Sequence, residues 1–177
     1  IARVMRQAAL FDPAHAAGYA AFATRNEPGA ANDLVGLKHF WRSDYVVPRR
    51  PEFMATLKLS SNRVIGAELV NFENLSGFHL GDGALYLHRR GDEYEEIFPL
   101  WNWSRLPGVT CAQTPPQNYQ YSQVPRDFVG ALTDGRGGVA AMDFARDGVS
   151  ARKAWFFLGD TIWNLGAAVA GANEAGL

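Results

Sequence analysis

Ala154-Trp155-Phe156-Phe157-Leu158-Gly159-Asp160-Thr161-Ile162-Trp163 is the segment on which the fold turns. Two apolar runs rich in aromatics flank Gly159-Asp160. A two-residue link containing glycine between such runs closes a β-hairpin. Upstream, Asp134-Gly135-Arg136-Gly137-Gly138 reads as a turn into residues 139–144. There Val139, Ala141 and Asp143 alternate with Ala140, Met142 and Phe144, and a period of two sends the two sets to opposite faces. Phe53, Ala55, Leu57 and Leu59 alternate in the same way with Met54, Thr56, Lys58 and Ser60. Residues 64–70 and 84–88 are further strand candidates, the second closed by Arg90-Gly91-Asp92. Many short strands divided by Gly and Pro turns predict a mainly β fold, an antiparallel sandwich.

The first residues follow a different period. Ile1, Val4, Met5 and Ala8 recur at helical spacing among good helix formers, which predicts a helix over 1–10. Asp12-Pro13 stops it and starts another, with Asp12 as N-cap and Pro13 at the first helical position. Residues 14–24 are Ala-rich, with Tyr19 and Phe22 three apart. Asn26, Pro28, Gly29, Asn32 and Gly36 mark a break. The expected organisation is a helical segment over 1–25, a linker over 26–37 and a β-sandwich over 38–177, with a fraying end from Gly171.

Composition narrows the class. The chain has 177 residues, 47% hydrophobic and 20% charged, which argues against disorder. Seventeen Lys and Arg against 18 Asp and Glu leave a net charge of −1, so no nucleic-acid partner is expected. Cys111 is the only cysteine and supports neither an intrachain disulfide nor a cysteine zinc cluster. No apolar run approaches the roughly 20 residues that span a bilayer, so no membrane partner is expected. No cleavable leader opens the chain, and a start at Ile1 reads as a processed or excised piece. Charge is uneven. Residues 38–63 hold six basic residues against Asp44 and Glu52, while residues 68–96 hold seven acidic ones against Arg89 and Arg90. The basic stretch suits an anionic ligand or is simply a solvated face.

Glu68-Leu69-Val70-Asn71-Phe72-Glu73-Asn74 is the most unusual segment. Four carboxylate and amide groups in seven residues do nothing for a core. A bulge or strand end here would bring Glu68 and Asn71 together. Amides and protonated acids suit a carboxylate or a developing oxyanion; capping and loop hydrogen bonding are the ordinary alternative. His39, His79 and His88 lack the tight spacing of a metal motif and read as packed or exposed strand histidines, so no metal is assigned. Trp101 and Trp103 are placed on one strand face, as core or as a sugar-stacking surface. Gly81-Asp82-Gly83 and Gly135-Arg136-Gly137-Gly138 lack the strand–helix setting of a phosphate loop. Ser60, Ser61 and Ser76 have no nucleophile elbow. Cys111 has no motif.

Taken together, these motifs resemble polysaccharide lyase family 8, which holds the chondroitin AC, hyaluronate and xanthan lyases. The first block is Asn71-Phe72-Glu73-Asn74, Gly77-Phe78-His79-Leu80, Asp82-Gly83-Ala84, Glu93-Tyr94, Phe98-Pro99-Leu100-Trp101-Asn102-Trp103 and Leu106-Pro107-Gly108-Val109-Thr110. The second is Gly137 to Phe144, then Ala151 to Phe157, then Leu165-Gly166-Ala167. The resemblance spans residues 38–170 and is closest to the chondroitin and hyaluronate branch.

The resemblance implies an α/α toroid followed by an antiparallel β-supersandwich. Residues 1–25 then correspond to the last toroid helices and 38–170 to a partial supersandwich. It implies a secreted or periplasmic lyase that cleaves uronate-containing glycans by β-elimination without metal or organic cofactor. Family position makes Glu68 and Asn71 the catalytic contributions of the sandwich. Glu68 would orient a His of the toroid, and Asn71 would line the cleft. Arg63 and Asn74 are the expected substrate-binding residues. The toroid's own His and Tyr have no counterpart here, so this chain alone is expected to be inactive. Its expected partners are an acidic polysaccharide and the rest of the enzyme or a covering chain. An incomplete sandwich would leave an open edge and an uncovered apolar face. Two rival readings are a non-catalytic module that binds acidic glycans and a purely structural scaffold.

Overall fold

The computed structural model describes residues 1–27, 30, 34–69, 71–73, 75–113 and 119–171. It contains two compact units, Ile1–Val35 and Gly36–Leu177.

In the first unit, α1 (Ala2–Phe11) packs on α2 (Ala16–Arg25), joined through a 3-10 turn at Pro13–His15. The helix break falls at Asp12-Pro13 as expected, but Asp12 caps no backbone N–H. Its carboxylate instead accepts the Tyr19 hydroxyl (3.1 Å) and pairs with His15 Nδ1 (2.9 Å). The tighter turn over Pro13–His15 delays the second helix to Ala16. Arg6 pairs with Glu27. The break signals at Pro28, Gly29 and Asn32 lie outside the described residues.

The second unit is antiparallel throughout its described pairings. Its strands are β1 (Gly36–Phe40), β2 (Tyr45–Arg49), β3 (Met54–Lys58), β4 (Ala67–Glu68), β5 (Ala84–His88), β6 (Tyr121–Ser122), β7 (Val129–Thr133), β8 (Gly138–Arg146), β9 (Val149–Leu158) and β10 (Thr161–Ala170). One sheet runs β1-β2-β3-β5, a second β10-β9-β8-β7, and β4 and β6 form a separate ribbon. The Gly159-Asp160 hairpin closes with Leu158 opposite Thr161. A second tight hairpin joins β8 to β9 at Asp147-Gly148, both at positive φ (50° and 78°), the geometry that matches strand twist.

Alternation decides what the two large sheets bury. Ala55 and Leu57 of β3, Ala140, Met142 and Phe144 of β8, and Ala151, Trp155 and Phe157 of β9 are buried. Leu37, Val46, Leu57, Leu59, Met142, Phe144, Trp155 and Phe157 belong to one core, so the sheets are the two halves of a sandwich. The outer face of the second sheet is open: Leu158, Trp163 and Leu165 are exposed, and β10 is an edge. That is the uncovered apolar face expected of a partial sandwich.

Two local expectations are corrected. The strand expected over 64–70 shrinks to Ala67–Glu68. Trp101 and Trp103 lie on no strand; they follow a 3-10 turn at Phe98–Leu100. The Trp101 ring packs on Tyr86 and Tyr94, and Trp103 packs on Trp101 and Phe98.

Candidate functional site

The ribbon β4–β6 carries the first candidate residue. Ala67 pairs with Ser122 and Glu68 with Tyr121. Gly66 N–H donates to Ser122 O (2.7 Å), and Leu69 N–H donates to Gln120 O (2.9 Å). Just before β4 the chain crosses another segment at close quarters. A Cβ on Gly81 would lie 2.6 Å from Gly66 Cα. Glu68 is exposed at the end of β4, and residues 71–73 beyond it are exposed. Phe72 stands at φ 60° with its ring in solvent. A bulky aromatic in the left-handed region is a strained outlier, and such strain gathers at functional sites.

Beneath the ribbon lies a buried charged platform. The 3-10 turn Gly77–His79 accepts Ser122 Oγ on Phe78 O (2.6 Å). His79 Nδ1 meets Asp82 Oδ2 at 2.8 Å, and Arg146 Nε forms an ion pair with the same oxygen at 2.9 Å. All three side chains are at least nine-tenths buried. Burial alone would lower the His79 pKa. The Asp82 carboxylate, together with the Cys111 thiol, reverses this and holds it at about 9, so His79 is a cation at neutral pH. The Arg146 guanidinium lies 4.6 Å from the Phe78 ring centroid, and its Nη2 has no hydrogen-bond partner among the described residues. Lys153 Nζ donates to Gly108 O, and burial, opposed by Asp82, pushes its pKa down to about 8.

Arg63 sits apart from this platform, half-exposed, and is already engaged. Its Nη1 donates to Asp127 O and its Nη2 lies 3.6 Å from the buried Asp44 carboxylate, which also accepts Ser61 Oγ at 2.5 Å. Asn74 lies outside the described residues.

Next to Phe72 and Leu75 is a cavity of about 730 Å³ walled by Tyr86, Tyr94, Phe98, Trp101 and Trp103, with Glu73, Ser76 and His88 as its polar members. Trp101 and Trp103 stack on each other at 5.9 Å and 26°. Burial, with Tyr94 and Tyr45 nearby, pushes the Tyr86 hydroxyl up to about 12, so it keeps its proton at neutral pH. Among the described residues no group of three His, Cys, Asp or Glu is placed to hold a metal ion. No described helix is long and apolar enough to cross a membrane.

Sequence reasoning missed the platform. His79 and Asp82 stand three apart, a spacing visible in the sequence, but Arg146 reaches them from the far end of β8. It also missed Ser122 and Tyr121, whose partners are distant in sequence.

Comparison with known proteins fits this architecture. Residues 35–176 match the model of the polysaccharide lyase family 8 super-sandwich domain. Chondroitinase-AC of Pedobacter heparinus is 37% identical over 134 residues, 73% of this chain and 19% of that protein. Xanthan lyase of a Bacillus species is 32% identical over 146 residues, 80% of this chain and 15% of that protein. A solved chondroitinase AC lyase, studied as enzyme–oligosaccharide complexes, superposes with a TM-score of 0.81 at 32% identity, covering 96% of this chain and 26% of that one. The chain belongs to polysaccharide lyase family 8 and corresponds to its super-sandwich domain. It spans less than a fifth of the length of these curated relatives.

Proposed function

We propose that this chain is the sandwich part of a secreted or periplasmic lyase that cleaves uronate-containing glycans of the chondroitin or hyaluronan type by β-elimination. Glu68 and Asn71 are its contributions to the cleft. The observation that carries this reading is the exposed Glu68 on a ribbon tied to a buried ionic platform, with Asn71 exposed beyond it, in a chain similar to chondroitinase AC.

The chemistry assigns each group a task. The proton at C5 of a uronate is weakly acidic, and the adjacent carboxylate takes up charge as it leaves. An amide such as that of Asn71 stabilises the enolate-like intermediate by hydrogen bonding to that carboxylate. A base takes the C5 proton, the electron pair forms a double bond to the neighbouring carbon, and the glycosidic C–O bond there breaks. The leaving oxygen receives a proton from an acid. Base and acid come from the remainder of the enzyme, a toroid of which residues 1–25 are the end. Glu68 accepts a hydrogen bond from the catalytic His of that remainder and fixes its tautomer. Arg63, its charge shared with Asp44, and Asn74 contribute to holding the anionic chain.

The test is ultraviolet absorbance of the unsaturated uronate while this chain is incubated with chondroitin and with hyaluronan. A flat trace from folded chain is expected, beside product formation by the full-length protein. A rise from the chain alone would place base and acid within these residues and overturn the division of labour. No product from the full-length protein, with salt-sensitive glycan affinity, would make the domain a binding module instead.

A further inference from the structure

Resting on the reading of Glu68 above, we infer that the buried His79–Asp82–Arg146 triad is a positioning device for Glu68, acting through Ser122 and the β4–β6 ribbon.

The path is continuous. Asp82 is the hinge of the triad: one oxygen, Oδ2, takes both His79 Nδ1 (2.8 Å) and Arg146 Nε (2.9 Å), while Oδ1 faces Ser60 Oγ (3.4 Å). Asp82 N–H donates to His79 O (3.1 Å), so the carboxylate and the 3-10 turn Gly77–His79 are one rigid piece. Arg146 and His79 both press on Phe78, one over its face at 4.6 Å and the other edge-on at 5.0 Å. Phe78 O then receives Ser122 Oγ, and Ser122 is the cross-strand partner of Ala67, the residue before Glu68. Gly66 and Gly81 meet backbone to backbone on the same side. Phe78, His79, Asp82, Ser122 and Arg146 are buried, Ala67 is half-buried, and Glu68 is exposed.

A fold has cheaper ways to secure a two-residue ribbon. Replacing a buried ionic group by packed apolar side chains is often neutral or stabilising, so a buried triad is weak evidence for stability alone. Two cations sharing one carboxylate do supply direction. They fix the orientation of the turn about the axis on which Ser122 docks. An exposed carboxylate that must meet an imidazole within hydrogen-bond tolerance needs that, because misplacement by about 1 Å can cost about a hundredfold in rate.

The experiment is a double-mutant cycle in the full-length lyase with chondroitin as substrate, read as kcat and KM. Glu68→Gln comes first. If it leaves kcat unchanged, the reading of Glu68 fails, and this inference fails with it. If it lowers kcat, His79→Leu is expected to lower kcat about tenfold or more with KM within about twofold. His79→Asn, which keeps a donor where Nδ1 stands, restores most of that loss. In the Glu68→Gln background His79→Leu then has almost no further effect, because it acts through the group already removed. A purely structural role predicts the reverse: the same loss in both backgrounds, tracking the folded fraction. That outcome, or a normal kcat in folded His79→Leu, overturns the inference. Ser122→Ala, which cuts only the bond to Phe78 O, serves if His79→Leu does not fold. It is expected to show the same dependence on Glu68, and independence from Glu68 refutes the path.

Discussion

His79 is a buried imidazole held as a cation, and this predicts a pH dependence of stability with a definite sign. Its pKa rises from 6.5 unfolded to about 9 folded, since Asp82 and Cys111 outweigh the burial that lowers it. Between these values the folded chain holds a proton that the unfolded chain releases, so stability falls as pH rises. The contribution is fully present below pH 6.5 and is lost as pH passes through about 9. The slope approaches about 1.4 kcal/mol per pH unit, so about 2 kcal/mol disappears between pH 6.5 and 8. His39 and Lys153 act outside that window. His39, lowered by burial against the pull of Asp44, makes stability rise with pH only below 6.5. Lys153, depressed from 10.5 to about 8, makes it rise only above 8 and flattens the curve there. Urea unfolding of this chain at half-unit steps from pH 6 to 9, followed by tryptophan fluorescence, measures the slope. His79→Leu should abolish it and should cost about 3–5 kcal/mol at pH 6, the usual cost of breaking a buried ion pair. The difference from wild type should narrow as pH approaches 9. The same slope in wild type and variant would refute the assignment.

Other outcomes follow from particular contacts. Gly81→Ala would set a Cβ 2.6 Å from Gly66 Cα and 2.7 Å from Ser60 Oγ, so it should lower the urea midpoint by the equivalent of about 1–3 kcal/mol. Phe157→Ala removes a fully buried ring from the shared core and should cost about 3–5 kcal/mol in the same assay. The exposed Leu158, Trp163, Leu165 and Val169 should make the folded chain bind an apolar dye, and Leu165→Lys should reduce that fluorescence without lowering the urea midpoint.

How far the fold was legible depends on how local each signal is. Alternation at 53–59 and 139–144 and the Gly159-Asp160 link marked strands because side-chain direction and turn chemistry are properties of a few consecutive residues. The same logic, applied to Asp147-Gly148, would have found the other tight hairpin. The strand expected over 64–70 survives only as Ala67–Glu68, whose ladder partners Ser122 and Tyr121 are distant in sequence and reported by no local pattern. The unusual polarity of residues 68–74 singled out Glu68 and Asn71, and both are exposed beyond the core. Arg63 was singled out for its charge, yet the structure engages that charge with Asp44 and Asp127 O. The platform was illegible because its cost and its meaning depend on burial, and His79, Asp82 and Arg146 become a unit only once β8 crosses the 3-10 turn.

The central claim, that this sandwich supplies a working carboxylate to a lyase cleft, is tested most directly by one comparison. Ultraviolet absorbance is followed as chondroitin is turned over by the full-length enzyme and by its Glu68→Gln variant, each matched for folded fraction by thermal melting. The variant should be slower by about a hundredfold or more, the scale of a lost acid–base partner, with an unchanged melting temperature. Equal rates would contradict the claim and leave the end of β4 without a part in the chemistry.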